Sequence, residues 1–159
     1  MQLAVARWRC PEVVPFLTWT RDHEADHARR FRALMLSRGA KVCRLPWVWH
    51  VGAVTLGLAT ALFGARCVYL CTEIIETSVH SHLGDQYVFA ARHDAELAEL
   101  IRSVQADEMD HLNRAVELRA GRKVLLHAIM DPIVTALTDG LIWLSTRGDA
   151  ARLKSLLAA

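Results

Sequence analysis

Residues 107–111 read DEMDH, and this stretch decides how the rest of the sequence is interpreted. In an α-helix, Glu108 and His111 lie on one face about one turn apart, so both side chains can reach a single metal ion. Residues 24–27 read EADH and repeat the arrangement with Glu24 and His27. One Glu-x-x-His would be weak evidence, because chance produces it often. Two copies on segments with helical periodicity together indicate a metal site.

A third acidic helix turn lies between the two copies. Residues 72–76 read TEIIE, and Glu76 shares one stripe of its predicted helix with Glu73 and His80. Two Glu-x-x-His turns with a separate helical glutamate between them are typical of four-helix bundles that bind two iron ions through carboxylates. In such a site carboxylates offset the metal charge, histidines fix the outer position of each iron, and open positions remain for dioxygen.

The sequence offers five of the six ligands that this kind of site uses. They are Glu24, His27, Glu76, Glu108 and His111. The sixth should be a glutamate on a helix before Pro11, and residues 1–10 contain none. Glu12 is about three turns from Glu24 on the same predicted helix, too far to share its metal, which leaves Glu73 as a substitute. We therefore expect one of the two iron positions to be weakened, with fewer than two irons per chain.

A structural alternative must be weighed against the metal site. Each Glu-x-x-His turn could be a solvated turn in a polar stretch, and a neighbouring arginine could satisfy Glu76. The order of Glu-x-x-His, glutamate and Glu-x-x-His on successive helices favours the metal site.

Composition bounds the class of protein. The 159 residues are 53% hydrophobic and 23% charged, which suits a single domain over residues 1–159 with a sizeable core. A net charge of +2 does not argue for nucleic acid as a partner. The four cysteines form no Cys-x-x-Cys pair, so we expect reduced thiols packed as small hydrophobes. The absence of a secretory signal pattern favours an intracellular setting.

Apolar periodicity predicts an all-α protein, namely a ferritin-like four-helix bundle with an additional hydrophobic helix. The predicted helices span residues 11–37, 46–63, 65–92, 94–120 and 122–147, and residues 1–9 form the tail of an earlier helix. Gly64 should interrupt the chain, Asp94 should act as an N-cap, and Pro132 should kink or split the last helix. Residues 148–159 are expected to be a loose tail of one or two helical turns.

A basic run precedes a long apolar segment. The run consists of Arg29, Arg30, Arg32, Arg38, Lys41 and Arg44. From Leu45 to Thr72 the only formally charged residue is Arg66, and about 18 of these residues form a stretch near the minimum length of a transmembrane helix. The segment could be a buried bundle helix, a shallow contact with the membrane surface, or a full span. Trp47 and Trp49 beside the basic run favour contact with an anionic lipid surface.

Several stretches resemble the demethoxyubiquinone hydroxylase family, the di-iron monooxygenases of ubiquinone biosynthesis. Residues 22–27 followed by Phe31 are similar to its second helix, and residues 107–111 to its fourth ligand helix. Its hydrophobic helix is matched by residues 45–47, Gly57, residues 60–62 and Gly64. Its third ligand helix is matched by residues 71–86. Its C-terminal signature is matched by residues 142–145 and Arg147.

The resemblance implies a ferritin-like bundle, peripheral to a membrane, that hydroxylates a polyprenylated benzoquinol (demethoxyubiquinol) with dioxygen and a reductant. Two iron ions would be held by Glu24, His27, Glu76, Glu108 and His111, with the three glutamates as the catalytic carboxylates. His82 would lie close to these ligands. In a bacterium the protein would sit on the cytoplasmic face of the inner membrane, with a second copy or other proteins of quinone biosynthesis as candidate partners.

Two departures from the family pattern bear on function. Family members begin with a helix that carries the first iron ligand, whereas this sequence begins near the end of that helix, so we expect either a truncated N-terminus or a five-ligand variant. Leu83 stands where the family usually has a tyrosine, which affects substrate handling or electron transfer. The alternatives are a non-catalytic quinone-binding or scaffold homologue with an incomplete metal site, and a ferritin-like protein that handles iron or oxygen without an organic substrate.

Overall fold

The computed structural model describes residues 1–40, 45–119 and 124–158. Within those ranges all regular structure is helical and no strand is present, so the prediction of an all-α protein is confirmed. The elements are α1 (Gln2–Arg9), a short 3₁₀ helix (Pro11–Val13), α2 (Val14–Ser37), α3 (Pro46–Phe63), α4 (Ala65–His93), α5 (Ala95–Arg119), α6 (Val124–Thr146) and α7 (Asp149–Ala158). This content and the packing described below fit a ferritin-like bundle with an added apolar helix.

Local chemistry explains where the helices end. Gly64 has a φ of 100°, a backbone conformation that residues other than glycine rarely adopt. It separates α3 from α4, as predicted. Asp94 is the predicted N-cap of α5, and its Oδ1 accepts the Leu97 N–H at 3.0 Å. Arg38, just after α2, donates to both carboxylate oxygens of Asp94 at 2.7 and 2.8 Å. This contact ties the end of α2 to the start of α5.

Three segments differ from the predicted elements. The helix expected from residue 11 begins as a 3₁₀ turn, because Pro15 has no N–H to give to the Pro11 carbonyl four residues earlier. Pro132 lies inside α6, which continues through it without splitting. The expected loose tail instead contains the 10-residue helix α7, which begins just after Gly148 (φ 82°).

Helix α4 is central to the packing, because α3, α5, α6 and α7 all contact it. Helix α2 packs on α5, and their cross-links run in opposite directions along the two helices, from His23–His111 to Arg38–Asp94. The two helices are therefore antiparallel. Helix α1 packs on α2 and α3.

The core falls into three clusters. One lies under α1 and the start of α2 and is centred on Phe16, Val68 and Tyr69. A second cluster joins the C-terminal parts of α2 and α4 to the N-terminal part of α5. A third cluster joins α4 to α6. Cys10, Cys67 and Cys71 are buried free thiols, as expected, and Cys43 lies outside the described residues.

Two helices are long and apolar enough to cross a membrane by length and composition, α3 and the Leu125–Thr146 part of α6. This is weak evidence alone, since core helices pass the same test, but only 17% of the α3 window and 11% of the α6 window are buried. The interpretation of α3 as a buried bundle helix is therefore disfavoured. Of the basic run, Arg29 pairs with Asp26, Arg38 pairs with Asp94 and Glu96, and Lys41 and Arg44 lie outside the described residues.

Candidate metal centre

Three helices direct carboxylate and imidazole side chains to a common point. One ligand atom from each of Glu24 on α2, Glu76 on α4, and Glu108 and His111 on α5 lies within 4.8 Å of the other three. The convergence of the three glutamates predicted from the sequence is therefore present. It follows from the helical period, because Glu108 and His111 are three residues apart and face α2 and α4 together.

His27 lies beside this cluster with one nitrogen unsatisfied. Its side chain is buried, and Nδ1 lies 3.3 Å from Glu108 Oε1 and 4.0 Å from Glu24 Oε2. Within the part of the chain that the structure describes, Nδ1 has no hydrogen-bond partner, whereas Nε2 lies 3.0 Å from Asp107 Oδ2. A buried polar atom without a partner is costly. A metal ion between Nδ1 and the two carboxylates would remove that cost, so the residues present fit a metal.

His111 is fully buried, and both of its ring nitrogens have close neighbours. Nδ1 lies 3.0 Å from Glu108 Oε2 and 3.8 Å from Glu76 Oε1. Nε2 lies 3.1 Å from His23 Nδ1. The Trp19 ring meets both imidazoles edge-on, with centroids 4.9 Å from His111 and 5.0 Å from His23. The carboxylates therefore face one side of the His111 ring, and α2 covers the other.

The shared carboxylate of this arrangement is Glu108. Its Oε1 approaches His27 and its Oε2 approaches His111. Each histidine also has a glutamate of its own, Glu24 near His27 and Glu76 near His111. The cluster thus divides into two neighbouring sets of ligand atoms that meet at one carboxylate.

The charges of the cluster are strongly perturbed. Burial raises the pKa of Glu76 to about 8, against the hydrogen bond from His111, which lowers it. Burial opposes the charge on Glu108 as well, but hydrogen bonds from His111 and Glu76 outweigh it and lower the pKa of that carboxyl. Burial disfavours the His111 imidazolium, but its hydrogen bonds to Glu108 and Glu76 raise the pKa to about 9. Burial and the nearby Glu108 charge also raise the pKa of Glu24.

Two of these shifts leave protons on the cluster near neutral pH. Burial keeps Glu76 protonated, and the hydrogen bonds to Glu108 and Glu76 keep His111 protonated. A divalent cation would displace those protons and neutralise the excess negative charge.

The structure gives the other predicted residues contacts of their own. The Glu73 carboxylate is buried and accepts a hydrogen bond from Arg119 Nε at 2.9 Å, so it belongs to an ion pair. His82 lies against α6, with Nε2 3.2 Å from Asp139 Oδ1. Its place beside the ligands, which the family resemblance implies, stays a prediction. Leu83 is buried in the second core cluster, which joins α2, α4 and α5.

A cleft of about 330 Å³ opens beside the cluster, between α1, α2, α3 and α4. Glu24 and Glu76 form the acidic part of its wall. The remaining lining residues are Gln2, Leu17, Thr20, Ala53, Leu56, Gly57, Thr60, Val68, Cys71, Thr72 and Ile75. Thr20 and Thr72 donate their hydroxyls to carbonyls of their own helices, so most of the cleft surface presents apolar groups.

Sequence reasoning missed Asp107, His23 and Trp19, which surround the two histidines. A signal for Asp107 was available, since a metal-binding histidine usually gives its second ring N–H to a carboxylate or another acceptor. An acidic residue adjoining the Glu-x-x-His turn was therefore a candidate. His23 and Trp19 could not be assigned without the packing of α2 on α5.

The fold and the cluster define a helical bundle with a candidate metal centre made of carboxylates and imidazoles. The family model of the ubiquinone biosynthesis protein COQ7 matches residues 1–145, and the chain belongs to this family. No solved structure matched the chain.

Three curated relatives show the extent of the similarity. The NADPH-dependent 3-demethoxyubiquinone 3-hydroxylase, mitochondrial, of Dictyostelium discoideum is 29% identical, over 84% of this chain and 62% of the relative. The human protein of the same name is 29% identical, over 79% of this chain and 59% of the relative. The 3-demethoxyubiquinol 3-hydroxylase of Rhodospirillum rubrum is 27% identical, over 78% and 58%. The chain thus spans about three fifths of the length of these relatives.

Proposed function

We propose that the chain carries the di-iron centre of a monooxygenase that hydroxylates a polyprenylated benzoquinol of the demethoxyubiquinol type. The observation that carries the proposal is the convergence of Glu24, Glu76, Glu108 and His111, together with the unpartnered Nδ1 of His27 beside them. Family membership supports the substrate class, because the relatives are named as hydroxylases of demethoxyubiquinone or demethoxyubiquinol.

The two sets of ligand atoms suit two neighbouring ferrous ions. Glu24 and His27 would hold one ion and Glu76 and His111 the other, and Glu108 would contribute to both positions. Oxygen and imidazole ligands are those that ferrous iron accepts in non-haem proteins. When bound, iron would supply the redox chemistry by which dioxygen delivers an oxygen atom to the quinol ring.

The chain itself contributes preorganisation and water exclusion. Helix packing fixes the carboxylates before any metal arrives, and the Trp19 ring covers the histidine side of the cluster through its edge-on contacts with His23 and His111. The opposite side borders the cleft, where Glu24 is 55% exposed. A planar quinol ring would enter there, and the walls from Ala53 and Leu56 would receive the prenyl tail.

We propose that the protein works at a membrane surface, which suits an isoprenoid substrate. Large apolar side chains are exposed on α3 and α6, including Trp47 and Phe63 on one helix and Ile133 and Trp143 on the other. The two helices meet where a Cβ added at Gly52 would lie 3.0 Å from Leu141. Adjacent apolar helices with this much exposed surface support peripheral contact with lipid.

Quinone analysis of a complemented host tests the function. A strain that lacks its own demethoxyubiquinol hydroxylase should recover the hydroxylated product when it expresses this chain, and Glu108→Gln should abolish the recovery. Glu117→Gln is the matched control, since Glu117 lies on the same helix but is exposed and paired with Arg114.

The outcomes separate the alternatives. Failure to recover the product, with iron bound to the purified protein, would favour an iron- or oxygen-handling role. Failure with no iron bound would favour the non-catalytic scaffold. Either result would contradict the proposed hydroxylase.

A further inference from the structure

The two histidines of the cluster, His27 and His111, differ in the group that faces the Nε2 atom of each ring. His27 Nε2 faces a carboxylate, Asp107 Oδ2, at 3.0 Å. His111 Nε2 faces another imidazole, His23 Nδ1, at 3.1 Å. The two Glu-x-x-His turns are alike in sequence, so this asymmetry comes from the residues around them.

The positions of the carboxylates decide which nitrogen of His111 is available to a metal. Glu108 and Glu76 both face Nδ1, so a cation held by those carboxylates would take the Nδ1 lone pair. The ring proton then resides on Nε2, which donates it to His23 Nδ1 at 3.1 Å, the polar atom that faces it among the described residues. His23 consequently acts as the acceptor, with its own proton on Nε2.

Packing holds this pair of rings in place. His111 has no exposed surface, and Trp19 meets both imidazoles edge-on. The His23 and His111 ring planes are 31° apart, with centroids separated by 5.2 Å. His23 lies one turn after Trp19 on α2, so the helix presents the indole and the acceptor to His111 as a unit.

We infer that His23 is a positioning residue that orients the His111 ring through its Nε2–H, and that its neutral acceptor makes the two metal positions unequal. The inference rests on the proposed metal centre. A carboxylate such as Asp107 accepts a stronger hydrogen bond from an imidazole N–H than a neutral imidazole does. The opposite ring nitrogen then becomes a stronger metal ligand. The His27 position therefore binds metal more tightly than the His111 position.

Substitutions at His23 can separate hydrogen bonding from shape. His23→Leu fills similar space without an acceptor. His23→Asn places an amide oxygen where Nδ1 lies, and His23→Asp places a carboxylate oxygen at the same point. Asp107→Asn is the corresponding substitution for His27, because it removes the negative charge that faces His27 Nε2.

The test is an anaerobic titration of the whole chain with cobalt(II), followed by its visible d–d absorption, with circular dichroism to verify folding. The wild type should show a tighter and a weaker class of cobalt. His23→Leu should weaken the weaker class about tenfold, the size typical for loss of a partner behind a metal ligand. His23→Asn should restore it, and His23→Asp should tighten it beyond the wild type. Asp107→Asn should instead weaken the tighter class.

Other outcomes overturn the inference in distinguishable ways. If the wild type binds cobalt and folded His23→Leu gives the same affinities and spectrum, His23 does not position His111, while the proposed metal centre stands. If His23→Asn and His23→Asp are impaired as much as His23→Leu, the imidazole acts by shape alone. If the wild type binds no cobalt, the metal centre and the inference fail together.

Discussion

Replacing Glu76 with glutamine should stabilise the metal-free protein, although Glu76 is buried in the proposed site. Burial raises its pKa from 4.5 to about 8, so at pH 7 the folded chain keeps a proton that the unfolded chain releases. Holding a proton about 2.5 pH units above the ordinary pKa costs about 3.5 kcal/mol, at about 1.4 kcal/mol per unit. Because Glu76 is coupled to Glu108 and His111, we expect a gain of about 1–3 kcal/mol for Glu76→Gln.

Glu73 provides a control of opposite sign on the same helix. It is as buried as Glu76, but its carboxylate is paired with Arg119 at 2.9 Å. Glu73→Gln removes the negative charge that Arg119 Nε faces at 2.9 Å, so it should destabilise the protein by about 1–4 kcal/mol.

Urea unfolding of the metal-free proteins at pH 7, repeated with saturating ferrous ion under argon, measures both effects. Metal should raise the unfolding free energy of the wild type and of Glu73→Gln, but much less that of Glu76→Gln, which has lost a ligand. If Glu76→Gln destabilises the metal-free protein, or if metal stabilises it as much as the wild type, the electrostatic account of the cluster is wrong.

Three further predictions concern pH, the membrane and the cleft. The pKa values of Glu76 and His111 are raised, to about 8 and about 9, so their contribution to metal-free stability is complete below their unfolded pKa values and is lost as pH rises through the folded ones. Calorimetry should show stability falling between about pH 4.5 and 9, by about 1.4 kcal/mol per pH unit for each proton that the folded chain keeps and the unfolded chain releases. An unchanged or rising stability would contradict this. Replacing Trp47, Val51 and Leu58 with serine should release the protein from anionic vesicles in a flotation assay. The control replaces the exposed Val88 and Phe89 of α4 with serine and should leave flotation unchanged. Equal flotation of both variants would argue against α3 as the contact. Gly57→Val should crowd the cleft, since a Cβ there already meets Gln2 at 3.2 Å, and should raise the KM for quinol several-fold with unchanged iron content; an unchanged KM would place the substrate elsewhere.

Most helix boundaries could be predicted from the sequence because they depend on local chemistry. Gly64 and Asp94 end or begin helices through their own backbone conformation or side chain. The convergence of the candidate ligands was predictable for a related reason, since a three-residue spacing fixes the face of a helix.

The remaining features depend on tertiary contacts. Glu73 and Glu76 are both buried on α4, and the ion pair with Arg119 of α5 distinguishes Glu73 from the glutamate in the cluster. The exposure of the apolar face of α6 likewise depends on which helices cover it, and the sequence analysis considered only α3 as a membrane contact. Periodicity identifies an apolar face but not its neighbour.

The central claim is that the five residues hold iron, and anomalous diffraction from crystals grown anaerobically with ferrous ion tests it most directly. The account predicts an anomalous peak at the iron edge on the His27 side of the Glu108 carboxylate and a weaker one on the His111 side, because we expect fewer than two irons per chain. One peak should lie within about 2.0–2.3 Å of His27 Nδ1 or Glu24, and the other at similar distances from His111 Nδ1 and Glu76. An empty cluster in crystals soaked with excess iron, or iron bound only at surface carboxylates, would contradict the account.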